Sequence, residues 1–295
     1  MIRAYQDYCQ SLIDPILEQL FQAPHERMST LYEAMRYSVM NGGKRVRPLL
    51  VLASCEALAG DAKNALGAAC AVELIHAYSL VHDDLPAMDD DDWRRGQPTT
   101  HIRYGQANAI LAGDALQALA FEVLCDPRFS TQSDSTRLKM VQLLSQAAGA
   151  AGMVGGQAID LDATGQSIDQ AHLEQMHRHK TGALIRVSTL LGGLCSPSAT
   201  PEAVDSLARY AEAIGLAFQV QDDILDIISD TETLGKQQGS DSQQNKSTYP
   251  ALLGLEQAQC YALQLRDQAL AALVDFDENA DTLRALAHYI VTRNK

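Results

Sequence analysis

Two dense aspartate clusters each continue a long apolar segment that has the composition of a buried helix. The first places six carboxylates within positions 83–92, and the second places three within positions 219–226. Carboxylates at this density repel one another, so they require either solvent or neutralising cations. A fold that accommodates both clusters must bring the ends of apolar helices to a polar space.

Helix is favoured over most of the chain by its local sequence. Alanine and leucine are abundant, and runs of Val, Ile and Thr in strict alternation are absent. Turn-forming residues interrupt the helical segments, for example at positions 42–43 and 196–197. We therefore predict an all-α fold, with long helices over 65–82, 108–125, 137–153, 203–229 and 255–273.

Composition limits the class of protein. The chain has 295 residues, of which 46% are hydrophobic and 20% are charged, so it can bury a large core and is too apolar to be intrinsically disordered. No linker or shift in composition marks a boundary, and we expect a single domain over 1–295. The net charge of −14 disfavours nucleic acid as a partner, because phosphate backbones would be repelled.

The sequence also bears on the cellular compartment. Residues 1–10 include Arg3 and Asp7 and lack the apolar core of a signal peptide. The apolar stretch 107–124 is interrupted by Asp114 and Glu122, so we expect no stable membrane insertion. The six cysteines are widely spaced, with neither a CxxC pair nor the spacing of a zinc site, which fits free thiols in a reducing cytoplasm.

The first aspartate cluster has a simple alternative explanation as a solvated acidic turn, which suits an arbitrary run of aspartates. Its neighbours favour a different interpretation. The cluster follows an apolar helix, and Arg94 and Arg95 come directly after it. Seven residues, about two helical turns, separate His76 from Asp83, so both side chains would lie on one helix face. These features favour a polar cavity over a surface turn.

The second cluster forms a stripe on a predicted apolar helix, because Gln219, Asp222 or Asp223, and Asp226 follow helical spacing. Burial of such carboxylates without a cation would cost on the order of several kcal/mol each. Mg²⁺ prefers oxygen ligands and is commonly held by one or two carboxylates together with substrate phosphates. Calcium would also neutralise the charges, but no EF-hand loop is present. Two acidic helices that face each other would hold a diphosphate through shared Mg²⁺.

Basic motifs could complete such a site. Lys44 and Arg47 follow two glycines at i, i+3 spacing and could grip one diphosphate, with a surface patch at a helix start as an equal alternative. Lys180 and Thr181 precede another apolar helix and are candidate hydrogen-bond donors to a phosphate group. Lys236 follows the second cluster by one short loop. A P-loop, a dinucleotide-binding glycine motif and a GxSxG elbow are absent, which leaves metal-assisted diphosphate chemistry.

The ordered combination of these motifs resembles the trans-isoprenyl diphosphate synthase family, with the closest likeness to its bacterial farnesyl-producing members. The likeness runs from around Tyr37 to Lys295. It rests on four segments, namely 42–48, 83–96, 180–181 and 219–226. The resemblance implies an isoprenoid-synthase-type helical bundle around a central cavity, a cytoplasmic homodimer, Mg²⁺ as cofactor and isoprenyl diphosphates as small-molecule substrates. Trp93 departs from the pattern, since a smaller aliphatic residue is expected there.

The resemblance also implies roles for individual residues. For Mg²⁺ binding, directly or through water, it implies Asp83, Asp84, Asp89, Asp222, Asp223 and Asp226. For the allylic diphosphate it implies Arg94, Lys180, Thr181, Gln219 and Lys236. For isopentenyl diphosphate it implies Lys44, Arg47, His76 and Arg95. The residues expected to act directly in catalysis are Asp83, Asp84, Asp89, Asp222, Asp223 and Lys180.

The implied reaction is a Mg²⁺-dependent condensation of isopentenyl diphosphate with dimethylallyl and then geranyl diphosphate. The allylic C–O bond ionises, the double bond of isopentenyl diphosphate attacks, and loss of a proton gives (2E,6E)-farnesyl diphosphate and pyrophosphate. With no obvious protein base in the motifs, the released pyrophosphate is a candidate proton acceptor. Tyr78 and Ser79 precede Asp83 by five and four residues, so they would lie about 6–8 Å deeper along a helix. A growing chain would meet them there. The aromatic Tyr78 resembles the pattern of the family's bacterial farnesyl-producing members, which implies that elongation stops at the farnesyl length.

Other interpretations remain open at this point. A geranyl or geranylgeranyl diphosphate synthase would use the same chemistry and differ in product. A class I terpene cyclase would share the helical architecture and the aspartates, but a single-substrate enzyme needs no second diphosphate motif at Lys44 and Arg47. A non-catalytic helical regulatory subunit would be expected to lose one aspartate motif, and here both are complete.

Overall fold

The computed structural model describes residues 2–228 and 247–293. Within these ranges the α-helices are α1 (Ile2–Leu20), α2 (Ser29–Met40), α3 (Val46–Glu56), α4 (Leu66–Asp83), α5 (Thr100–Tyr104), α6 (Gln106–Cys125), α7 (Asp134–Ala148), α8 (Met153–Ala163), α9 (Gln170–His177), α10 (Ala183–Leu194), α11 (Pro201–Ile228), α12 (Tyr249–Leu253), α13 (Leu255–Ala272) and α14 (Asp281–Thr292). Short 3₁₀ turns occupy Glu26–Met28, Ala62–Ala65 and Glu278–Ala280, and one π-helical turn occupies Arg178–Gly182. Two short strands, β1 (Trp93–Arg94) and β2 (Gln97–Pro98), form an antiparallel hairpin.

The all-α prediction is confirmed, and helices α4, α6, α11 and α13 lie where long helices were expected. The continuous helix predicted over 137–153 is wrong, because α7 ends at Ala148 and α8 begins at Met153. A Cβ atom on Gly152 would lie 2.1 Å from the carbonyl oxygen of Ala147. The tight turn between the two helices therefore depends on a residue without a side chain.

Helices α4 and α11, which carry the two aspartate clusters, are central elements of the fold. Helix α4 packs against α6, α3 and α10, while α11 packs against α13 and α10. Residues 67–75 of α4 are all buried, which explains why the sequence there is apolar on every face except at Glu73. Burial then decreases toward Ser79 and Leu80, where α4 approaches the polar cavity.

Two helical segments, Ala62–Asp83 and Gln106–Cys125, are long and apolar enough to cross a membrane by length and composition alone. Of the most apolar window of the first segment, 72% is buried inside the protein, so its apolar character is that of a core helix. In the second segment the buried share is only 39%, and the apolar side chains of Ile110 and Leu111 are exposed.

Candidate active site

A cavity of about 850 Å³ lies between α4, α8, the π-helical turn and α11. It brings together sequence-predicted residues from six separate parts of the chain. Those that line it are Lys44, Arg47, His76, Tyr78, Ser79, Asp83, Asp89, Arg94, Arg95, Lys180, Thr181, Gln219, Asp222 and Asp223. Lys236 lies outside the residues that the structure describes.

Two predicted residues, Asp84 and Asp226, are buried outside the cavity lining. The Oδ1 atom of Asp84 accepts a hydrogen bond from Arg94 Nε at 2.8 Å and forms an ion pair with Arg94 Nη2 at 2.5 Å. Burial raises the pKa of Asp84, although the contacts with Arg94 act in the opposite direction. Asp84 therefore influences the cavity through the orientation of Arg94, whose side chain reaches the lining.

One acidic wall of the cavity forms where the chain leaves α4 and turns back. The backbone N–H of Asp89 donates to the carbonyl of Asp83 at 2.8 Å, so the loop returns the second carboxylate to the side of the first. Burial raises the pKa of Asp83 to about 6; the charge of Asp89 adds to this effect, and Lys180 opposes it. A negative charge at Asp83 is thus disfavoured in the protein alone, and a bound cation would relieve that cost.

The facing acidic wall is the end of α11, which is tied to the C-terminal segment. The Oδ1 atom of Asp222 accepts a hydrogen bond from Arg293 Nη2 at 2.5 Å. The Oδ2 atom of Asp223 accepts one from the backbone N–H of Tyr249 at 2.9 Å. The guanidinium of Arg293 also lies 4.3 Å from the ring centre of Phe218, so this arginine is packed in place. The motifs do not assign Arg293 a role, and the structure brings it to the site.

A cationic pocket forms the far end of the cavity. Burial lowers the pKa of Arg47 to about 10, and the neighbouring Arg95 contributes to that shift. In the described part of the chain, no carboxylate forms an ion pair with the guanidinium of Arg47. The pKa of His76 lies well below its usual value, mainly because the imidazole is buried and also because Arg47 and Arg95 are positively charged. This imidazole is therefore neutral. Such a pocket is suited to an anion.

Lys180 reaches the cavity from the π-helical turn, and α8 holds it there. Its Nζ atom donates to Asp160 Oδ2 at 2.5 Å. Burial disfavours the charge on Lys180, but Asp160 more than offsets this effect, so the pKa of Lys180 is raised. A Cβ atom on Gly156 would lie 2.1 Å from the backbone nitrogen of Lys180, so α8 can approach the turn this closely only with glycine. Sequence reasoning missed Asp160, whose only local signal is its position one helical turn after Gly156.

The donor set fits a hard cation that a substrate helps to bind. Across residues 2–228 and 247–293, no group of three or more His, Cys, Asp or Glu side chains forms a ready-made metal centre. Instead, Asp83 and Asp89 line one side of the cavity, and Asp222 and Asp223 line the other. Mg²⁺ accepts one or two carboxylates and completes its coordination with water and phosphate oxygens. The arrangement therefore suits Mg²⁺ held together with a diphosphate.

The helical bundle, its facing carboxylate walls and its separate cationic pocket define an enzyme class that handles diphosphate substrates. Residues 28–287 match the polyprenyl synthetase family, and the chain belongs to that family. The sequence-based recognition of prenyl diphosphate synthases is thereby confirmed, as is the prediction of a prenyltransferase.

Individual relatives cover nearly the whole chain. Farnesyl diphosphate synthase of Escherichia coli (strain K12) is 55% identical over 280 residues, with 93% of each chain covered. Farnesyl diphosphate synthase of Haemophilus influenzae is 50% identical over 288 residues, with 96% of each covered. Among solved structures, the apo FPP/GFPP synthase from Zymomonas mobilis matches with a TM-score of 0.89 and 41% identity, over 98% of both chains.

Proposed function

We propose that this prenyltransferase condenses isopentenyl diphosphate with dimethylallyl and then geranyl diphosphate, giving (2E,6E)-farnesyl diphosphate and pyrophosphate. The two bacterial relatives named as farnesyl diphosphate synthases support this assignment. The observation that carries it is the presence, in one cavity, of an acidic end and a separate pocket around the buried guanidinium of Arg47. A second diphosphate site distinguishes a two-substrate synthase from a cyclase.

The acidic end is the proposed site for the allylic diphosphate and Mg²⁺. Asp83, Asp89 and Asp222 would hold the metal, which supplies positive charge to the departing pyrophosphate. Lys180 and Arg94 would donate hydrogen bonds to the same group as negative charge develops on it. Both cations are anchored by carboxylates, Lys180 by Asp160 and Arg94 by Asp84, so little reorganisation is needed when the C–O bond ionises. Thr181 and Gln219 line the same cavity, and Asp226 and Lys236 remain predicted participants.

The cationic pocket is the proposed site for isopentenyl diphosphate. Arg47, Lys44 and Arg95 would bind its phosphates, and the neutral imidazole of His76 can donate one hydrogen bond without adding charge. This arrangement leaves the double bond of isopentenyl diphosphate between the pocket and the allylic carbon. Proximity then replaces a bimolecular encounter, which is a large part of the rate enhancement in such reactions.

The experiment that tests the proposal is product analysis with and without metal. Purified protein is incubated with labelled isopentenyl diphosphate and either dimethylallyl or geranyl diphosphate, and the dephosphorylated products are sized. We expect farnesol as the main product with Mg²⁺, no product with EDTA, and full recovery when excess Mg²⁺ is restored. Geraniol or geranylgeraniol as the main product would reject the farnesyl assignment, and no condensation with Mg²⁺ would reject the synthase activity.

We further propose a homodimer, formed through the exposed apolar face of α6. Ile110 and Leu111 are 44% and 53% exposed, and Ala118 lies exposed further along the helix. Apolar exposure along one helix face is a common mark of a protein interface.

A charged substitution on this face of α6 tests whether it forms the dimer interface. We expect the wild type to sediment as a dimer, and Leu111→Glu to sediment as a monomer because a buried carboxylate would face the partner helix. Leu138→Glu, a change at an exposed leucine of α7, is the matched control and should remain dimeric. A wild-type monomer, or a dimer that tolerates Leu111→Glu, would reject this interface.

The remaining proposals concern domain organisation and location. The family match to 28–287 supports a single prenyltransferase domain over 1–295. All six cysteines are free, which agrees with the proposed cytoplasmic location.

A further inference from the structure

Arg45 stands between the two predicted phosphate-binding residues Lys44 and Arg47, but its side chain is not part of the main cavity lining. It is only 4% exposed. Its backbone lies in the left-handed region, with φ at 48°, immediately before α3 begins. This conformation is unfavourable for a residue with a long side chain, so it persists only where the surrounding contacts enforce it.

The contacts of Arg45 join four helices at one point. Its Nη1 atom donates to Glu73 Oε1 at 2.6 Å and to the carbonyl of Val39 at 2.9 Å. Its Nη2 atom lies 3.3 Å from Asp14 Oδ1. The guanidinium at the start of α3 is thereby attached to α1, α2 and α4, and these bonds hold the strained turn.

The same contacts determine where the phosphate-binding residues lie. Lys44 and Arg47 flank Arg45 in sequence and line the cavity. Glu73 lies three residues before His76 on α4, so the two side chains are on neighbouring positions of one helix face. The Arg45–Glu73 pair therefore sets the position of α3, which carries Arg47, relative to α4, which carries His76.

Charge alone does not explain the pair. Burial lowers the pKa of both Arg47 and Arg95, and the carboxylate of Glu73 opposes that shift, while the charge of Arg45 adds to it at Arg95. At Arg95 the two charges of the pair therefore act on the pKa in opposite directions. What the pair supplies is directed hydrogen bonding at the base of the cationic pocket.

We propose that Arg45 and Glu73 are positioning residues for isopentenyl diphosphate, which fix the turn and helix register that align Lys44, Arg47 and His76. This inference rests on the proposed function. A pair that only stabilised the fold would leave substrate affinity unchanged in any variant that folds. A positioning pair changes the affinity for isopentenyl diphosphate selectively, because the acidic wall that binds the allylic substrate is built from other contacts.

The primary test is Glu73→Gln, with Glu56→Gln as its matched control. Glu56 ends α3, the helix that begins directly after Arg45, and its carboxylate accepts a hydrogen bond from Tyr5 of α1 at 2.5 Å, away from the cavity. Binding of isopentenyl diphosphate is measured by calorimetry without allylic substrate, together with the KM of both substrates and the unfolding midpoint. For Glu73→Gln we expect a roughly tenfold or greater increase in Kd and KM for isopentenyl diphosphate, with less than about twofold change in KM for geranyl diphosphate.

A second variant covers the case in which Glu73→Gln does not fold. The double change Arg45→Met with Glu73→Leu replaces the ion pair by apolar contacts, a replacement that buried pairs often tolerate. We expect the folded double variant to bind isopentenyl diphosphate roughly tenfold more weakly, since apolar contacts do not direct the turn. Wild-type affinity in a folded double variant, or an equal loss in Glu56→Gln, would overturn the positioning role.

The outcomes also separate this inference from the proposed function. If the wild type does not bind isopentenyl diphosphate in the absence of turnover, the assigned substrate site is wrong. If the wild type binds it and folded variants of the pair bind it equally well, only the positioning role is rejected.

Discussion

Replacement of Asp83 by asparagine is expected to lower kcat by roughly 10³-fold while the protein becomes slightly more stable. The activity falls because a proposed Mg²⁺ ligand is lost, and with it the positive charge that stabilises the departing pyrophosphate. The stability rises because burial raises the pKa of Asp83 to about 6, which means that folding disfavours its ionised form. Above that pKa a neutral amide avoids this cost, and the gain disappears as the pH falls below it.

The measurement for Asp83→Asn is kcat at saturating substrates across a Mg²⁺ titration, with thermal unfolding recorded at pH 8 without metal. Asp92→Asn is the matched control, because Asp92 belongs to the same cluster but is exposed and does not line the cavity. We expect it to retain nearly full activity. An Asp83→Asn enzyme within tenfold of the wild type, or an equal loss at Asp92, would contradict the assignment of Asp83 as a metal ligand.

The sequence predicted the helices well where their ends are chemically marked. Turn-forming residues define the end of α6 and the start of α11, and both lie within a few residues of the prediction. The gap between α7 and α8 was missed because its glycines lie in an otherwise helical pattern, where a glycine is weak evidence for a break. Its cause is a close backbone approach at Gly152, which only the three-dimensional structure reveals.

The candidate site was predictable in its residue types but not in its pairings. Helical spacing could place His76 and Asp83 on one face, because that spacing is local. The contacts Lys180–Asp160 and Asp222–Arg293 join residues 20 and 71 positions apart, so no local pattern reports them. They depend on how α8 and the C-terminal segment pack against the cavity, which is a property of the whole bundle.

The sequence also did not show which side chains of a motif line the cavity. Asp83 and Asp84 are adjacent, yet one lines the cavity and the other binds the guanidinium of Arg94. The β1–β2 hairpin, which the sequence did not predict, includes Arg94 and helps to place it beside Asp84. Arg45 shows the same effect, since sequence alone treats it like its basic neighbours. In both cases an ion pair, Asp84 with Arg94 and Arg45 with Glu73, keeps the side chain out of the cavity lining.

Truncation of Tyr78 to alanine is expected to change the main product from farnesyl to geranylgeranyl diphosphate. Tyr78 is only 4% exposed, lies on α4 five residues before Asp83 and contributes to the cavity lining. Its ring packs edge-to-face on His82, with ring centres 5.7 Å apart, so it is held in place against a growing chain. Loss of the ring deepens the cavity along α4, and the extra space accepts one more isoprene unit. The same loss of buried contacts is expected to cost about 3 kcal/mol of stability.

The product of Tyr78→Ala is sized after incubation with geranyl or farnesyl diphosphate and excess labelled isopentenyl diphosphate. Tyr78→Phe is the control, because it keeps the ring and removes only the hydroxyl group, and we expect it to retain farnesyl diphosphate as its product. A shift in both variants would assign chain length to the hydroxyl rather than to the volume of the ring. If Tyr78→Ala folds, condenses dimethylallyl diphosphate and still stops at farnesyl diphosphate, the barrier to elongation lies elsewhere in the cavity, and Tyr78 serves to pack α4.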